Sequence, residues 1–262
     1  MHFPSSLPST HRDFLQRVLP KLQANLKVVG IAAAGSYIDN TLDQYSDLDL
    51  VIAVEPDALE DLLSARHQVL SDLGDMVAGF SGEHVGEPKL YITLFAPEVL
   101  HVDIKFVAVD DIGYRVDNPV ILWARDARFA RALANEEGQY PPLDLQWIED
   151  RFWVWVHYAA LKIGRGEYFE ALDFLSFLRT QVLGPLALHN AGLPPRGVRR
   201  IEQQLPEAAS ALVATIAGND KHELIRATTA AAELYLQWRD PSVISNTAAQ
   251  QLACSYLTSL TD

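Results

Sequence analysis

Gly35-Ser36, followed by Asp47-Leu48-Asp49, constrains this chain more than any other feature, because each half sits at the end of an apolar run. Residues 28–34 form the first run and end in the Gly-Ser pair. Residues 48–54 form the second and begin at the aspartates, and both runs read as buried strands. Side chains at i and i+2 of a strand share a side, so Asp47 and Asp49 can share one ion while Leu48 faces the core. Gly35 supplies backbone that a ligand can approach closely, and Ser36 adds N–H and O–H donors suited to a phosphate oxygen. A lone Gly-Ser is usually only a turn, and a lone Asp-x-Asp is more often a solvated loop. Together at the ends of two strands they imply a phosphate cradle beside a divalent-metal site, and so chemistry on a nucleoside triphosphate.

A third carboxylate comes from a later segment. Residues 101–107 alternate polar and apolar, with His101, Asp103 and Lys105 on one face and Val102, Ile104 and Phe106 on the other. Residues 89–95 also read as a strand, with Ala96-Pro97-Glu98 as the reversal between the two. These elements resemble the signature of the DNA polymerase beta-like nucleotidyltransferase superfamily: Gly-Ser, a variable gap, Asp-x-Asp, and a further carboxylate on a later strand. The resemblance covers roughly residues 28–107. It implies an α/β (α+β) nucleotidyltransferase core with a small mixed sheet. It also implies Asp47, Asp49 and Asp103 as catalytic residues and as ligands of two Mg2+ ions, with Gly35 and Ser36 on the nucleotide. The substrate it implies is ATP or another NTP, whose nucleoside monophosphate passes to a hydroxyl as pyrophosphate leaves. Asp103, or a glutamate opposite, would accept the hydroxyl's proton.

Composition narrows the partners. The chain carries 34 acidic against 21 basic residues, a formal charge of −13, whereas a duplex-binding protein shows a basic field. Acidity argues against a nucleic-acid partner and suits a cationic small-molecule substrate. Cys254 is the single cysteine, which fits a reducing compartment, and no signal-peptide pattern or bilayer-length apolar run is present. A cytoplasmic location is expected. The eight histidines show no His-x-x-x-His spacing, and no Walker-type loop ending in Lys-Ser or Lys-Thr occurs.

Periodicity predicts a first helix over about 12–24 capped by Ser9-Thr10, and another over 58–73. Residues 79–88, rich in glycine, read as a mobile connection, and residues 110–134 as turns with one helix. Tyr140-Pro141-Pro142 marks the expected boundary between a nucleotidyltransferase domain, residues 1–140, and an all-α helical bundle, residues 141–262. Helices are expected over 144–163, 168–191, 197–217, 220–238 and about 247–260.

Within the helical half, Phe152-Trp153, Tyr158, Lys162, Gly164-Arg165, Glu167 and Ala171-Leu172-Asp173 resemble the helical segment of the aminoglycoside 6-adenylyltransferases. That resemblance implies Lys162 as a contact to the triphosphate, with an aminoglycoside-type antibiotic as one possible acceptor. The chain departs from that group in its short core and its Gly-Ser to Asp spacing, and no aminoglycoside-binding loop is recognisable. The expected acceptor is therefore a small hydroxyl-bearing molecule. Transfer of AMP to a protein or RNA end, and a catalytically silent nucleotide-binding module, are the alternatives. Glu83, Glu87, Glu167 and Asp173 read chiefly as solvated or helix-face charges, although a substrate amine could use them.

Overall fold

The apolar runs of the first half pair into a six-stranded mixed sheet. In the computed structural model, which describes residues 3–97 and 99–261, the strands are β1 (Val28–Ala33), β2 (Leu48–Val54), β3 (Asp75–Gly82), β4 (Glu87–Ala96), β5 (Leu100–Ala108) and β6 (Val120–Ala124). Their order is β3-β4-β5-β2-β1-β6. All neighbours are antiparallel except β2 and β5, which run parallel. Glu98, in the expected reversal before β5, lies outside the described residues.

Alternation along the strands fills both faces of the sheet. Leu48, Leu50 and Ile52 of β2 and Val102, Ile104 and Phe106 of β5 face the larger core. There they meet Phe14, Leu15 and Val18 of α1 (Ser9–Ala24) and Leu59, Leu62 and Leu70 of α2 (Leu59–Ser71). Val29, Ala32, Ala53 and Val107 face a smaller core under α3 (Ala127–Asn135), whose Phe129 is fully buried. A β-bulge between Val28 and Gly30 changes the parity of β1, so Ile31 points to the larger core although Val29 points to the smaller. Gly30 is required by this packing, since a Cβ there would lie 2.1 Å from the Phe129 ring. Burial of that ring stabilises by about 1.5–3 kcal/mol.

Three expectations for this unit need correction. Helix α1 begins at Ser9 with Pro8 in the cap position, so Ser9-Thr10 form its first turn and do not cap it. The glycine-rich stretch 79–88 is ordered as the end of β3, a short 3-10 turn (Glu83–Val85) and the start of β4. Gly79 leaves room for Tyr91, whose ring would lie 2.6 Å from a Cβ at that position, so the glycine marks packing there. Residues 120–124, read as part of turns and helix, pair with the outer edge of β1.

The chain divides into two compact units, Met1–Tyr140 and Pro141–Asp262. The second is helical: α4 (Leu145–Gly164), α5 (Tyr168–Leu178), α6 (Gly184–Asn190), α7 (Ile201–Gln204), α8 (Pro206–Leu212), α9 (Lys221–Trp238) and α10 (Thr247–Thr258). Asp144, Asp220 and Asn246 cap α4, α9 and α10 by accepting from backbone N–H groups in the first turn. The helix expected over 168–191 carries a π turn at Arg179–Leu183, just ahead of Pro185, which cannot donate an N–H to the preceding turn. The helix expected over 197–217 breaks into α7 and α8 at Leu205, because Pro206 pushes the residue before it out of helical conformation (φ −137°, ψ 67°). Among the described residues, no helix is long and apolar enough to cross a membrane.

Glu149 of α4 is buried and ties three elements of this unit together. It accepts from Trp153 Nε1 at 3.2 Å, from the Tyr235 hydroxyl of α9 at 2.5 Å and from the Asn246 N–H ahead of α10 at 3.0 Å. Arg239 Nη1 lies 3.4 Å away. Burial works to raise its pKa, but the hydrogen bonds from Tyr235, Asn246 and Trp153 and the Arg239 charge outweigh it and hold the carboxyl below its usual value. The carboxylate therefore stabilises in full above the unfolded glutamate pKa of about 4.3, and that contribution is lost as pH falls through the lower folded value. Glu149→Gln should lower stability at neutral pH by about 2 kcal/mol. It should also flatten the acid limb of a plot of denaturation midpoint against pH, and an unchanged limb would exclude Glu149 as its source.

Candidate active site

Parallel pairing of β2 and β5 sets the position of two carboxylates. The register places Leu48 opposite Val102 and Asp49 opposite Asp103. Leu48 and Val102 are fully buried, which turns both aspartates to the other face of the sheet. Adjacent strands lie about 4.8 Å apart, so same-face partners in register bring their side chains together. Asp47, immediately before β2, joins them: one carboxylate oxygen from each of Asp47, Asp49 and Asp103 lies within 4.8 Å of the other two. All three residues are half-buried.

The Gly-Ser turn abuts this cluster. After β1 the chain forms a 3-10 turn over Gly35–Tyr37, and the Ala34 N–H donates to the Asp49 carbonyl at 3.0 Å. Gly35 has φ +57°, in the left-handed region, and a Cβ there would lie 1.9 Å from Asp49 Oδ2. The glycine is thus required twice, by its own backbone and by the carboxylate packed against it. Ser36 is buried in the same turn.

Burial pushes the Asp103 carboxyl above the usual carboxylate range. A hydrogen bond with His101 Nε2 at 2.8 Å opposes that rise, and the negative charge of Asp47 adds to it. Lys105, on the same strand face, pairs with Glu87 at 2.8 Å. Behind the Asp47 loop, His11 of α1 is buried, with Nε2 2.8 Å from the Ser46 carbonyl and Nδ1 3.2 Å from Thr10 Oγ1. The carbonyl can only accept, so Nε2 carries a proton. Sequence reasoning passed over this histidine. The available signal was its place on the apolar stripe of α1, in line with Phe14, Leu15 and Val18.

Glu83 accepts from Ser81 at the β3–β4 turn. Lys162 belongs to the second unit, where its ammonium sits 2.8 Å from Glu167 and 2.9 Å from Glu170, over the Tyr158 ring. The two glutamates raise its pKa above the usual lysine value. Asp173 is exposed on α5.

Residues 15–91 match the family described as the nucleotidyltransferase domain, a span that contains Gly35, Ser36, Asp47 and Asp49 and ends before Asp103. The first unit therefore carries a nucleotidyltransferase domain, the hallmark of enzymes that transfer a nucleoside monophosphate. Among solved structures, the chain is similar to an aminoglycoside 6-adenyltransferase from Bacillus subtilis, at 14% identity and a TM-score of 0.38 over 97% of this chain and 99% of that one. It is similar to a nucleotidyltransferase-like protein from Exiguobacterium sibiricum at 12% identity and a TM-score of 0.39, covering 95% and 78%. A third similarity is to a STING-associated CdnE c-di-GMP synthase from Capnocytophaga granulosa, at 15% identity and a TM-score of 0.32, covering 96% and 79%. Likeness at these scores decides nothing about substrate. No curated protein matches the chain.

The fit of Gly35 against Asp49 yields a test. Gly35→Ala should displace the Asp49 carboxylate and weaken Mn2+ binding, read by calorimetry, at least about tenfold, with the far-ultraviolet spectrum retained. Wild-type Mn2+ affinity in that variant would contradict the interlock.

Proposed function

We propose that the chain is a divalent-metal-dependent nucleotidyltransferase that moves a nucleoside monophosphate, AMP from ATP in the simplest case, to a hydroxyl of a small molecule and releases pyrophosphate. The observation that supports this best is the convergence of Asp47, Asp49 and Asp103 within 4.8 Å beside a turn whose glycine is dictated by Asp49. Three hard oxygen donors in one half-buried cluster suit Mg2+, which accepts carboxylate, phosphate and water oxygens. Bound there, the metal would supply Lewis-acid neutralisation of phosphoryl charge and an acidified hydroxyl, with two ions if the two-metal arrangement applies.

The chain's own residues do the rest. Gly35 lets the turn close onto Asp49, and the buried Ser36 would supply polar groups to the triphosphate tail. Asp103, whose raised pKa reflects its burial, would take the proton of the attacking hydroxyl, and the His101 hydrogen bond would hold its carboxylate in one orientation. Attack on the α-phosphorus then forms the new oxygen–phosphorus bond as the bond to the pyrophosphate oxygen breaks. Lys162 keeps the role the resemblance implies, as a cation for the triphosphate, and would have to leave Glu167 and Glu170 to fill it.

Asp47→Asn and Asp49→Asn should each lower pyrophosphate release by about a thousandfold or more while leaving thermal unfolding cooperative. Full activity in either variant would falsify the assignment. Lys162→Gln should raise the ATP KM about tenfold with kcat less affected; an unchanged KM removes the lysine from the nucleotide site and leaves the rest of the proposal standing.

A further inference from the structure

On the face of the sheet opposite the carboxylates, α2 and the β3–β4 hairpin flank an open hollow of about 560 Å³. Tyr91 of β4 pairs with Ser81 on one side and Ile104 on the other, whereas its neighbour Ile92 pairs with Asp103. Tyr91 and Ser81 therefore face α2, and Asp103 faces away. Leu63, Ser64, Arg66 and His67 form one face of α2 over them. We propose that this hollow is a ligand site separate from the carboxylate cluster, and that it takes a small organic anion. A carboxylate or phosphate would meet Arg66, and the apolar or aromatic group that carries it would fill the rest.

Arg66 is held in place without being neutralised. Its guanidinium lies over the Tyr91 ring, 5.3 Å from the centroid, and Nη1 donates to the Pro88 carbonyl at 2.8 Å. Among the described residues it pairs with no carboxylate, although the chain has 34 acidic residues against 21 basic. An oxyanion can therefore meet the rest of the fork in the bidentate geometry that a guanidinium favours. The Tyr91 hydroxyl donates its proton to the Gly79 carbonyl at 3.1 Å, so it accepts from His67 Nδ1 at 2.9 Å. That relay fixes the Tyr91 ring beneath Arg66 and sets the His67 tautomer. Gly79 permits it, since a Cβ there would lie 2.6 Å from the ring.

Size and lining select the class. Hollows that bind small molecules span about 300–1,000 Å³. At about 30 Å³ per water molecule this one holds roughly nineteen waters, far more than an inorganic phosphate displaces. Leu63 and Phe80, the latter 53% exposed, offer the remaining surface to an apolar group. Ser64 adds a hydroxyl that can donate to the anion. The opposing charge is Glu83, which accepts from Ser81 and is close enough for the Arg66 charge to help lower its pKa. It is exposed on the turn and forms no ion pair with Arg66, so it works against an incoming anion without cancelling the cation.

The test uses the full chain in EDTA, which keeps divalent metal out of the carboxylate cluster. Calorimetry follows phenyl phosphate, benzoate, inorganic phosphate, phenol and benzylamine. The expected result is that phenyl phosphate or benzoate binds at least about tenfold more tightly than the other three, and the better of the two identifies the head group. Arg66→Gln should weaken that anion about tenfold or more. Ser64→Trp, which fills the hollow from an exposed helix position, should do the same with the thermal midpoint kept. Glu83→Gln should tighten it about twofold, and Asp49→Asn should leave it unchanged. Failure of both aromatic anions to bind overturns the proposal, as does wild-type affinity in Arg66→Gln or in Ser64→Trp. Equal binding of phenol removes the anion from the class, and equal binding of inorganic phosphate removes the organic group; either result overturns it. Loss of binding in Asp49→Asn also overturns it, since the anion would then sit at the carboxylates.

Discussion

The parallel pairing of β2 with β5 is the constraint on which the site depends. Every other pair of neighbouring strands is antiparallel and continues the packing of the two cores. In β2 and β5 the buried alternation on one face forces Asp49 and Asp103 together on the other. Two unit charges about 4 Å apart repel by about 4 kcal/mol at an effective dielectric of about 20. One hydrogen bond to a charged group, such as that between His101 and Asp103, returns about 1.5–3 kcal/mol. The apolar packing behind the strands therefore sustains a cluster that its own electrostatics oppose, which is the condition in which a bound cation has most to offer.

Much of the candidate site's carboxylate cluster was legible in the sequence because its residues lie at the ends of simple patterns. The run 28–34 stops at Gly35-Ser36, the run 48–54 starts beside Asp47 and Asp49, and strict alternation over 101–107 marks Asp103. The fit of Gly35 against Asp49 was beyond that reading, since it depends on a distance across two strands. His11 was missed for a related reason. On the apolar stripe of α1 it looks like a core residue, and only the folded loop shows that its partner is the Ser46 carbonyl.

The fold was less legible where local composition and tertiary packing disagree. Glycines at 79 and 82 hid β3 because they suggest turns, whereas Gly79 accommodates the Tyr91 ring of β4. The edge strand β6 is five apolar residues long, too short for periodicity to separate it from a helix turn. In the second unit, Pro206 ended a helix that hydrophobic spacing alone would have continued. Each miss has the same origin: a pattern read along the chain was decided by a neighbour across it.

The crossover between β2 and β5 also ties folding to function. It contains α2, β3 and β4, so Asp49 and Asp103 meet only after a long stretch of chain has found its place. Contacts this far apart in sequence form at a large loop-closure cost. A cation that recognises all three carboxylates binds the completed sheet and has no comparable site in the open chain. At a concentration a hundredfold above its dissociation constant, such a ligand adds about 2.7 kcal/mol to the folded state. With the proposed cation bound, the carboxylate cluster would act as a clasp on the sheet, and the metal content of the surroundings would then help to decide how much of the chain is folded.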